Sequence, residues 1–363
     1  MGRVNPSVIV IGAGPAGAAA ALDLSRRGHR VLLAERSGSH DSRIGETLLP
    51  ETNQFLRNLG VWSRFLADGH VPSHATHSAW GEPDLHSTDH LFNAHGPGWH
   101  IDRSRFDAML ASAAEEAGAQ VWRAARVVSV SREDGRWRAV LMQGEGRSEV
   151  EATFLLVATG AGGGLARSLG TRWVRYDRLV GLVGVMRAET TIPSIPEVLA
   201  VESVEHGWWY SAPLPEGSLI AVHMTDADLV GRDASATFLA RLRLTTHTRE
   251  RARGFRLEGR VRVRKAGTGR LETLAGPGWL AIGDAATAYD PLSGKGITKA
   301  LQDAVKAAAC LDSGAHHDTS FDEYRSAVAA RFERYLVQRA AYYRLETRWP
   351  QSPFWRRRQD PHC

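Results

Sequence analysis

The stretch "VIVIGAGPAGAAAALDLSRRGHRVLLAER", from Val8 to Arg36, restricts the fold more than any other feature of the chain. "SVIVI" at 7–11 is an unbroken apolar run, the pattern of a parallel strand buried on both faces. Gly12, Gly14 and Gly17 follow. Gly12 permits a tight turn, Gly14 lets the backbone approach a pyrophosphate, and Gly17 lets a helix pack closely on the strand. Pro15 and Ala16 lead into an alanine-rich helix predicted to end at Arg27, with its N-terminus favouring negative charge. "HRVLLAER" reads as the second strand. It ends in Glu35, 23 residues after Gly12, where an acid binds a ribose 2′-hydroxyl, and Arg36 follows. Strand, turn, helix, strand and acid in this order predict a dinucleotide site. They do not separate NAD from FAD.

A chain of 363 residues is long enough for two domains. No apolar run reaches the roughly 18 residues of a membrane span. The chain enters a strand by Val8, which predicts no signal peptide. Cys310 and Cys363 cannot build a disulfide framework, so a reducing cytoplasm is expected. The formal charge is +5, but the basic residues are dispersed and nearly all arginine, so no nucleic-acid partner is expected. Lysine occurs only at 265, 295, 299 and 306. The one dense basic run, "FWRRR" at 354–358, is either a solvated tail or folds back through Phe354 and Trp355.

A second motif lies far along the chain. In "GWLAIGDAATAYDPLSGKGITKALQDAVKAAACL", from Gly278, a strand runs into a turn at Gly283 and Asp284, and "DPLSGKGI" then opens a helix. A plain NAD-dependent enzyme has no need of this second loop. The pair "GAGPAG…AER" and "GDAA…DPLSGKGI" resembles FAD enzymes of the para-hydroxybenzoate hydroxylase fold. The resemblance implies FAD as cofactor, with Asp284 at its ribityl or pyrophosphate region. It also implies that Pro291, Ser293, Gly294, Gly296 and Ile297 lie along the isoalloxazine edge. "GWHIDRSRFDAMLASAAEEAGAQVW" resembles the segment that places an arginine near FAD; Arg103 matches, with Arg105 as the neighbouring choice. Arg43, Gly45, Val127 and Gly160 complete the implied cofactor set.

"RIGETLLPETNQFLRNLG" (43–60), "GPGWHIDRSRFD", "HGWWYSAPLPEG" (206–217) and "YYRLETRWPQSPFWRRR" together resemble the flavin-dependent tryptophan halogenase superfamily over nearly the whole chain. Halogenation itself is not expected to carry over. The lysine those enzymes place shortly before a tryptophan, here matched by Trp80, is missing from "GHVPSHATHSAW". Their glutamate in the second loop is matched by Ser293. Their GWxWxIP signature reads "GWWYSAP", with Tyr210 and Ala212 at altered places.

The implied activity is therefore an FAD-dependent monooxygenase that hydroxylates an electron-rich ring through a C4a-hydroperoxyflavin. The cofactor supplies the hard chemistry and the protein a dry, positioned pocket. A base near the ring would help. His70, His74 and His77 are candidates, drawn from seven histidines between His70 and His100, and each is also readable as a structural histidine. No metal-ligand spacing is present among them. Glu46 is a further candidate, also readable as a helix N-terminal acid. Trp208, Trp209 and Tyr210 could form an aromatic wall, though two neighbours on a strand face opposite ways and only one of each adjacent pair can line it.

The expected fold is α/β: a Rossmann-like FAD-binding domain of glutathione reductase/para-hydroxybenzoate hydroxylase type. It carries an inserted antiparallel substrate sheet and a C-terminal helical arm. Expected boundaries are 1–72, 97–170 and 270–315 for the discontinuous FAD-binding domain, 73–96 and 171–269 for the substrate domain, and 316–363 for the arm. Residues 234–254 read as one helix and Phe321 to Arg348 as another; "RVVSVSREDGRWRAVLMQ" reads as a hairpin around Asp-Gly, followed by one strand in "EVEATFLLVATGAGG". The sequence also resembles monooxygenases that hydroxylate peptidyl tryptophan in quinone-cofactor maturation. The expected partner is thus an aromatic metabolite or a peptidyl tryptophan or tyrosine. A separate NAD(P)H-dependent flavin reductase is a further candidate partner, because the Asp-Gly motif linked to NAD(P)H use reads "ATGAGGG" here. Halogenation and a non-oxygenating role in maturing a partner protein stand as alternatives.

Overall fold

The computed structural model describes residues 6–38, 45–189, 195–312 and 318–359. The labelled elements in chain order begin with β1 (Val8–Ile11), α1 (Pro15–Arg26), β2 (Val31–Ala34), β3 (Ala75–Ala79), α2 (Arg103–Glu116), β4 (Gln120–Trp122) and β5 (Phe154–Val157). Next come β6 (Leu179–Ala188), β7 (Val198–Val204), β8 (Gly207–Pro213), β9 (Leu219–Asp226) and β10 (Arg262–Lys265). The chain closes with β11 (Trp279–Ala281), α3 (Gly296–Asp312), α4 (Asp318–Arg344) and α5 (Pro353–Gln359).

β11, β5, β1, β2 and β4 pair in parallel in that order, with Ala275–Gly276 antiparallel at the edge. The four residues of β1 are almost wholly buried, which explains its unbroken apolar run. α1 packs on this sheet through Ala16 and Ala18 to Ala21, small side chains that let helix and sheet approach closely. α3 lies beside it with Leu301, Ala304, Ala307 and Ala308 buried.

The second sheet has eight strands: Phe255–Leu257, β6, β9, β8, β7, β3 and His86–Asp89 in order, with β10 beside the other half of β6. It departs from the expected all-antiparallel sheet in one pair, since β7 and β3 run parallel. β3 enters from an earlier part of the chain rather than through a hairpin, so antiparallel geometry is not imposed on it. The sheet buries one cluster on each face. Trp209, Phe238, Leu182 and Leu219 lie on one, and Trp208, Val222, Ile220 and Val183 on the other.

Three segments differ from the sequence expectation in detail. Residues 234–254 form two helices, Ala234–Leu242 and His247–Arg251. The second begins where buried Glu202 accepts the N–H groups of Thr246 (2.7 Å), His247 (3.3 Å) and Thr248 (2.7 Å), a cap supplied from another strand. The single strand expected after the Asp-Gly hairpin is two, Gly146–Ala152 in a meander and β5 in the parallel sheet. The hairpin turn itself has Asp134 at φ 49° and Gly135 at φ 78°, the left-handed pair of a type I′ turn. α4 ends at Arg344, and the chain then folds back as α5. Phe354 and Trp355 are fully buried, and Arg358 meets Asp226 at 2.6 Å with both side chains buried. The basic run is therefore packed, not a solvated tail.

Candidate functional site

The site is a strip that starts at the Gly-rich turn. Gly12 has φ +104°, and a Cβ there would lie 2.4 Å from the Ala158 carbonyl oxygen. A Cβ on Gly17 would lie 1.8 Å from the Gly12 oxygen. Neither position has room for a side chain, and Gly12 needs a backbone conformation that glycine supplies. Gly14 caps α1 without any side-chain hydrogen bond, and Pro15 takes the first helical position. The first-turn amides are thus open to an anion. Glu35, buried at the end of β2, accepts the Ala13 N–H at 2.7 Å and the Ser37 N–H at 3.1 Å. Arg36 is exposed, Gly160 (φ +74°) lies just beyond β5, and Val127 is half-buried against the core of the parallel sheet. Arg43 lies outside the described residues.

The far motif meets this turn directly. A Cβ on Gly283 would be 2.7 Å from that of Ala16, so the Gly283–Asp284 turn sits on the start of α1. The Asp284 side chain is 48% exposed, whereas its partner Lys299 is 2% exposed, with Nζ 3.0 Å from the carboxylate. Lys299 also donates to the Thr287 carbonyl. Only the outer part of Asp284 is left for a ligand. Sequence reasoning missed Lys299, although it is one of only four lysines and lies within the helix that motif opens.

Pro291–Ser293 form a single 3-10 turn, closed by Gly294 at φ +62°. A Cβ on Gly294 would stand 3.4 Å from Leu49. Ser293 Oγ accepts the Lys295 N–H at 3.3 Å, Gly296 begins α3, and Ile297 is buried. Asp290, which opens this loop, is fully buried. It accepts from Leu292 N–H at 3.0 Å, Tyr343 O–H at 2.7 Å and Arg339 Nε at 3.3 Å, while its own N–H donates to Tyr335 Oη at 2.6 Å. The C-terminal arm therefore holds the loop. This network also went unseen in the sequence.

Three residues before Leu49 in the chain, Glu46 lines an open cleft of about 390 Å³. Glu46, Ile101 and Arg103 line one wall; Val183, Val185 and Ile220 of the second sheet line the other. Gly45, at φ +105°, leaves room for Arg103, whose Nη1 would be 2.7 Å from a Cβ there. Arg103 is nearly buried and pairs with Asp107 at 3.3 Å. Arg105 is exposed and turns to Asp68 and Asp102, so the geometry puts Arg103 and not Arg105 at the cleft. Glu46 is buried, and the Tyr210 hydroxyl donates to it at 3.5 Å. Burial raises the Glu46 carboxyl above the ordinary range, opposed by backbone N–H groups, Arg103 and Tyr210. Burial and the Glu46 charge likewise raise Tyr210.

The remaining candidates scatter. Ser78, Val201, Tyr210, Val222 and Val183 stand in one cross-strand row, and this is the cleft face. His77 is in register with Ala200, Ser211 and Ala221, so it lies on the opposite face and does not reach the cleft. His74 is exposed at the junction before β3. His70 is buried against Phe65, and its Nδ1 accepts the Asp102 N–H at 3.4 Å. Desolvation lowers it to about 4, so it is neutral at ordinary pH. Of the three, His70 comes nearest, through Asp102 at the cleft wall. Trp208 shares the Tyr210 face but is fully buried beneath the C-terminal arm, giving its N–H to Tyr343 at 3.1 Å. Trp80 joins that cluster and donates to the Tyr342 carbonyl at 2.8 Å. Trp209 is buried on the far face, stacked on His223. The expected aromatic wall thus contributes Tyr210 alone to this part of the site. Among the described residues no three of His, Cys, Asp and Glu gather as metal ligands, and no helix is long and apolar enough to cross a membrane.

Comparison with known proteins gives the family and the fold. The family described as "FAD binding domain" matches residues 5–340. The flavoprotein LodB of Marinomonas mediterranea, named as an FAD-dependent oxidoreductase, is 29% identical over 357 residues, which span 96% of each chain. The solved structure of CmlS, a flavin-dependent halogenase, superposes with a TM-score of 0.88 at 26% identity, covering 98% of this chain and 68% of that one. QhpG, a peptidyl tryptophan dihydroxylase essential for tryptophylquinone cofactor biogenesis, gives 0.78 at 27%, covering 98% and 79%. The residues present fit FAD: the glycine cradle admits no side chain, the α1 amides are uncapped, and Asp284 projects over a buried lysine. Since the family match runs through both halves of the nucleotide site and the sheet between them, the chain belongs to the FAD binding domain family as a flavin-dependent oxidoreductase, with FAD as its cofactor.

Proposed function

We propose that the chain is a monooxygenase that hydroxylates an electron-rich aromatic ring, an indole or phenol, either free or as a peptidyl tryptophan or tyrosine. FAD would be held with its pyrophosphate at the α1 amides, its ribose at Glu35 and its ribityl chain at Asp284; the loop from Pro291 to Gly296 would flank the ring system. When bound and reduced, FAD supplies the electrons that split dioxygen, one atom entering the ring and the other leaving as water. The eight-stranded sheet, within residues 73–96 and 171–269, forms the substrate side. Buried Glu46, which lines the cleft and accepts from the Tyr210 hydroxyl behind it, carries the reading. A carboxyl raised by burial is suited to take the proton released from the ring carbon, and Tyr210 orients it. Arg103 steadies the ionised form, and Val183, Val185 and Ile220 keep the wall apolar and exclude water.

No lysine lines this cleft, and none precedes Lys265 in the sequence, which weighs against halogenation. The high structural agreement with CmlS keeps halogenation as a second reading. One assay separates them. The protein is supplied with a flavin reductase, NADH, oxygen and bromide, together with indoles, phenols and Trp-containing peptides. A product heavier by one or two oxygen atoms is expected. A bromine isotope pair would move the assignment to halogenation, and substrate left intact while peroxide accumulates would reject both.

A further inference from the structure

The sequence "EGRVRVRKAG", from Glu258, alternates arginine with valine. Its central strand β10 is an edge: it pairs with β6 on one side, and among the described residues no strand pairs with the other. Arg262 is in register with Val183 and Arg264 with Gly181, so these arginines share the cleft face with Val183. Arg260, Arg262 and Arg264 all line the cleft. Among the described residues none of the three forms an ion pair. The acids nearby are committed elsewhere. Glu258 pairs with Arg187 at 2.7 Å, Glu216 accepts from Ser218 at 2.7 Å, and Asp102 caps α2. The β10 edge itself is therefore cationic, while Asp102 and Glu216 keep their charge elsewhere on the lining and Glu46 lies on the inner wall.

We propose that β10 is a docking edge for an acidic, extended peptide segment whose aromatic residue enters the cleft. Alternate residues on a strand repeat at about 7 Å, so Arg262 and Arg264 form two rungs with the repeat of an extended chain lying alongside, and Arg260 stands two residues before the strand begins. A peptide strand added to an open edge is held by backbone hydrogen bonds, and side chains of alternate residues set its specificity. Carboxylates two positions apart on such a peptide would meet Arg262 and Arg264 in turn, with Arg260 near the end of the edge. Arginine suits this role because its planar fork matches a carboxylate. The proposal rests on the hydroxylase reading only for the fate of the ring; the docking itself needs no turnover.

The test is binding to the oxidised holoprotein without reductant. A fluorescently labelled, Trp-centred peptide with Glu at alternate flanking positions is compared by anisotropy with its Gln counterpart. The Glu peptide should bind at least roughly tenfold tighter, and the difference should shrink as salt screens the charges. The double variant R262E/R264E should abolish that preference and favour a Lys counterpart, with flavin absorbance and circular dichroism confirming its fold. Equal binding of the Glu and Gln peptides by the unaltered protein would overturn the proposal. So would an unchanged preference in the double variant, or displacement of the peptide by NADPH at comparable concentration. Turnover is scored separately. Tight binding without oxygenation would reject the hydroxylase reading alone, whereas oxygenation of free indoles without a Glu preference would reject the docking alone.

Discussion

The Gly-rich turn and the cleft are two ends of one strip, and they are built by different means. At the nucleotide end the geometry rests on missing atoms: Gly12, Gly17 and Gly283 would each drive a Cβ into a neighbour. At the cleft the geometry rests on side chains present, with Glu46, Tyr210 and Arg103 drawn from separate elements. The carboxylates show the contrast again. Asp284 is half exposed and held by a buried lysine, whereas Glu46 is buried and raised.

That contrast can be broken at either end. Gly17→Val should have the largest effect, because its side chain must displace the Gly12 backbone oxygen. No folded flavoprotein is expected, as read by visible absorbance and circular dichroism, and a yellow, folded variant would show that the cradle tolerates bulk. Asp284→Ala should purify without flavin. Glu46→Gln should keep flavin but slow turnover by about 10²–10⁴-fold, the usual worth of a positioned acid or base. Because Glu46 acts as a base only when ionised, the rate should rise with pH through its raised pKa, above the ordinary glutamate range. Glu46→Gln should erase that limb; a limb that survives would assign it to another group. Lys299→Met removes a charged partner of Asp284 and should weaken FAD by roughly ten- to a hundredfold, measured by flavin titration. His77→Ala, on the far face, should leave turnover unchanged and shift stability by no more than about 0.5 kcal/mol. A large loss of turnover there would mean the cleft has been placed on the wrong side of the sheet.

The two ends also differed in how far the sequence exposed them. The turn, α1 and the Asp-Gly hairpin follow from requirements of neighbouring residues: apolar runs, glycine where φ is positive, small residues facing a sheet. The histidines do not sort this way. Whether His77 faces the cleft depends on its register with Ala200 and Ser211, more than 100 residues on, and a slip of one residue would reverse it. Trp208 reads as a pocket residue until Tyr343 of the C-terminal arm covers it. The Asp290 network is invisible for the same reason: its partners lie 45 to 53 positions away, on a helix whose faces only packing can assign. Glu46 and Tyr210 were named through family resemblance, and their pairing needed the fold.

The grip of α4 and α5 on the body of the protein bears on truncation. A chain cut before α4 keeps the Gly-rich turn and Asp284, yet its Asp290 loses Tyr335, Arg339 and Tyr343. Trp80 loses Trp355, Trp208 loses Tyr343, and Asp226 loses Arg358. Such a truncated product should carry half a candidate cofactor site and an open aromatic face.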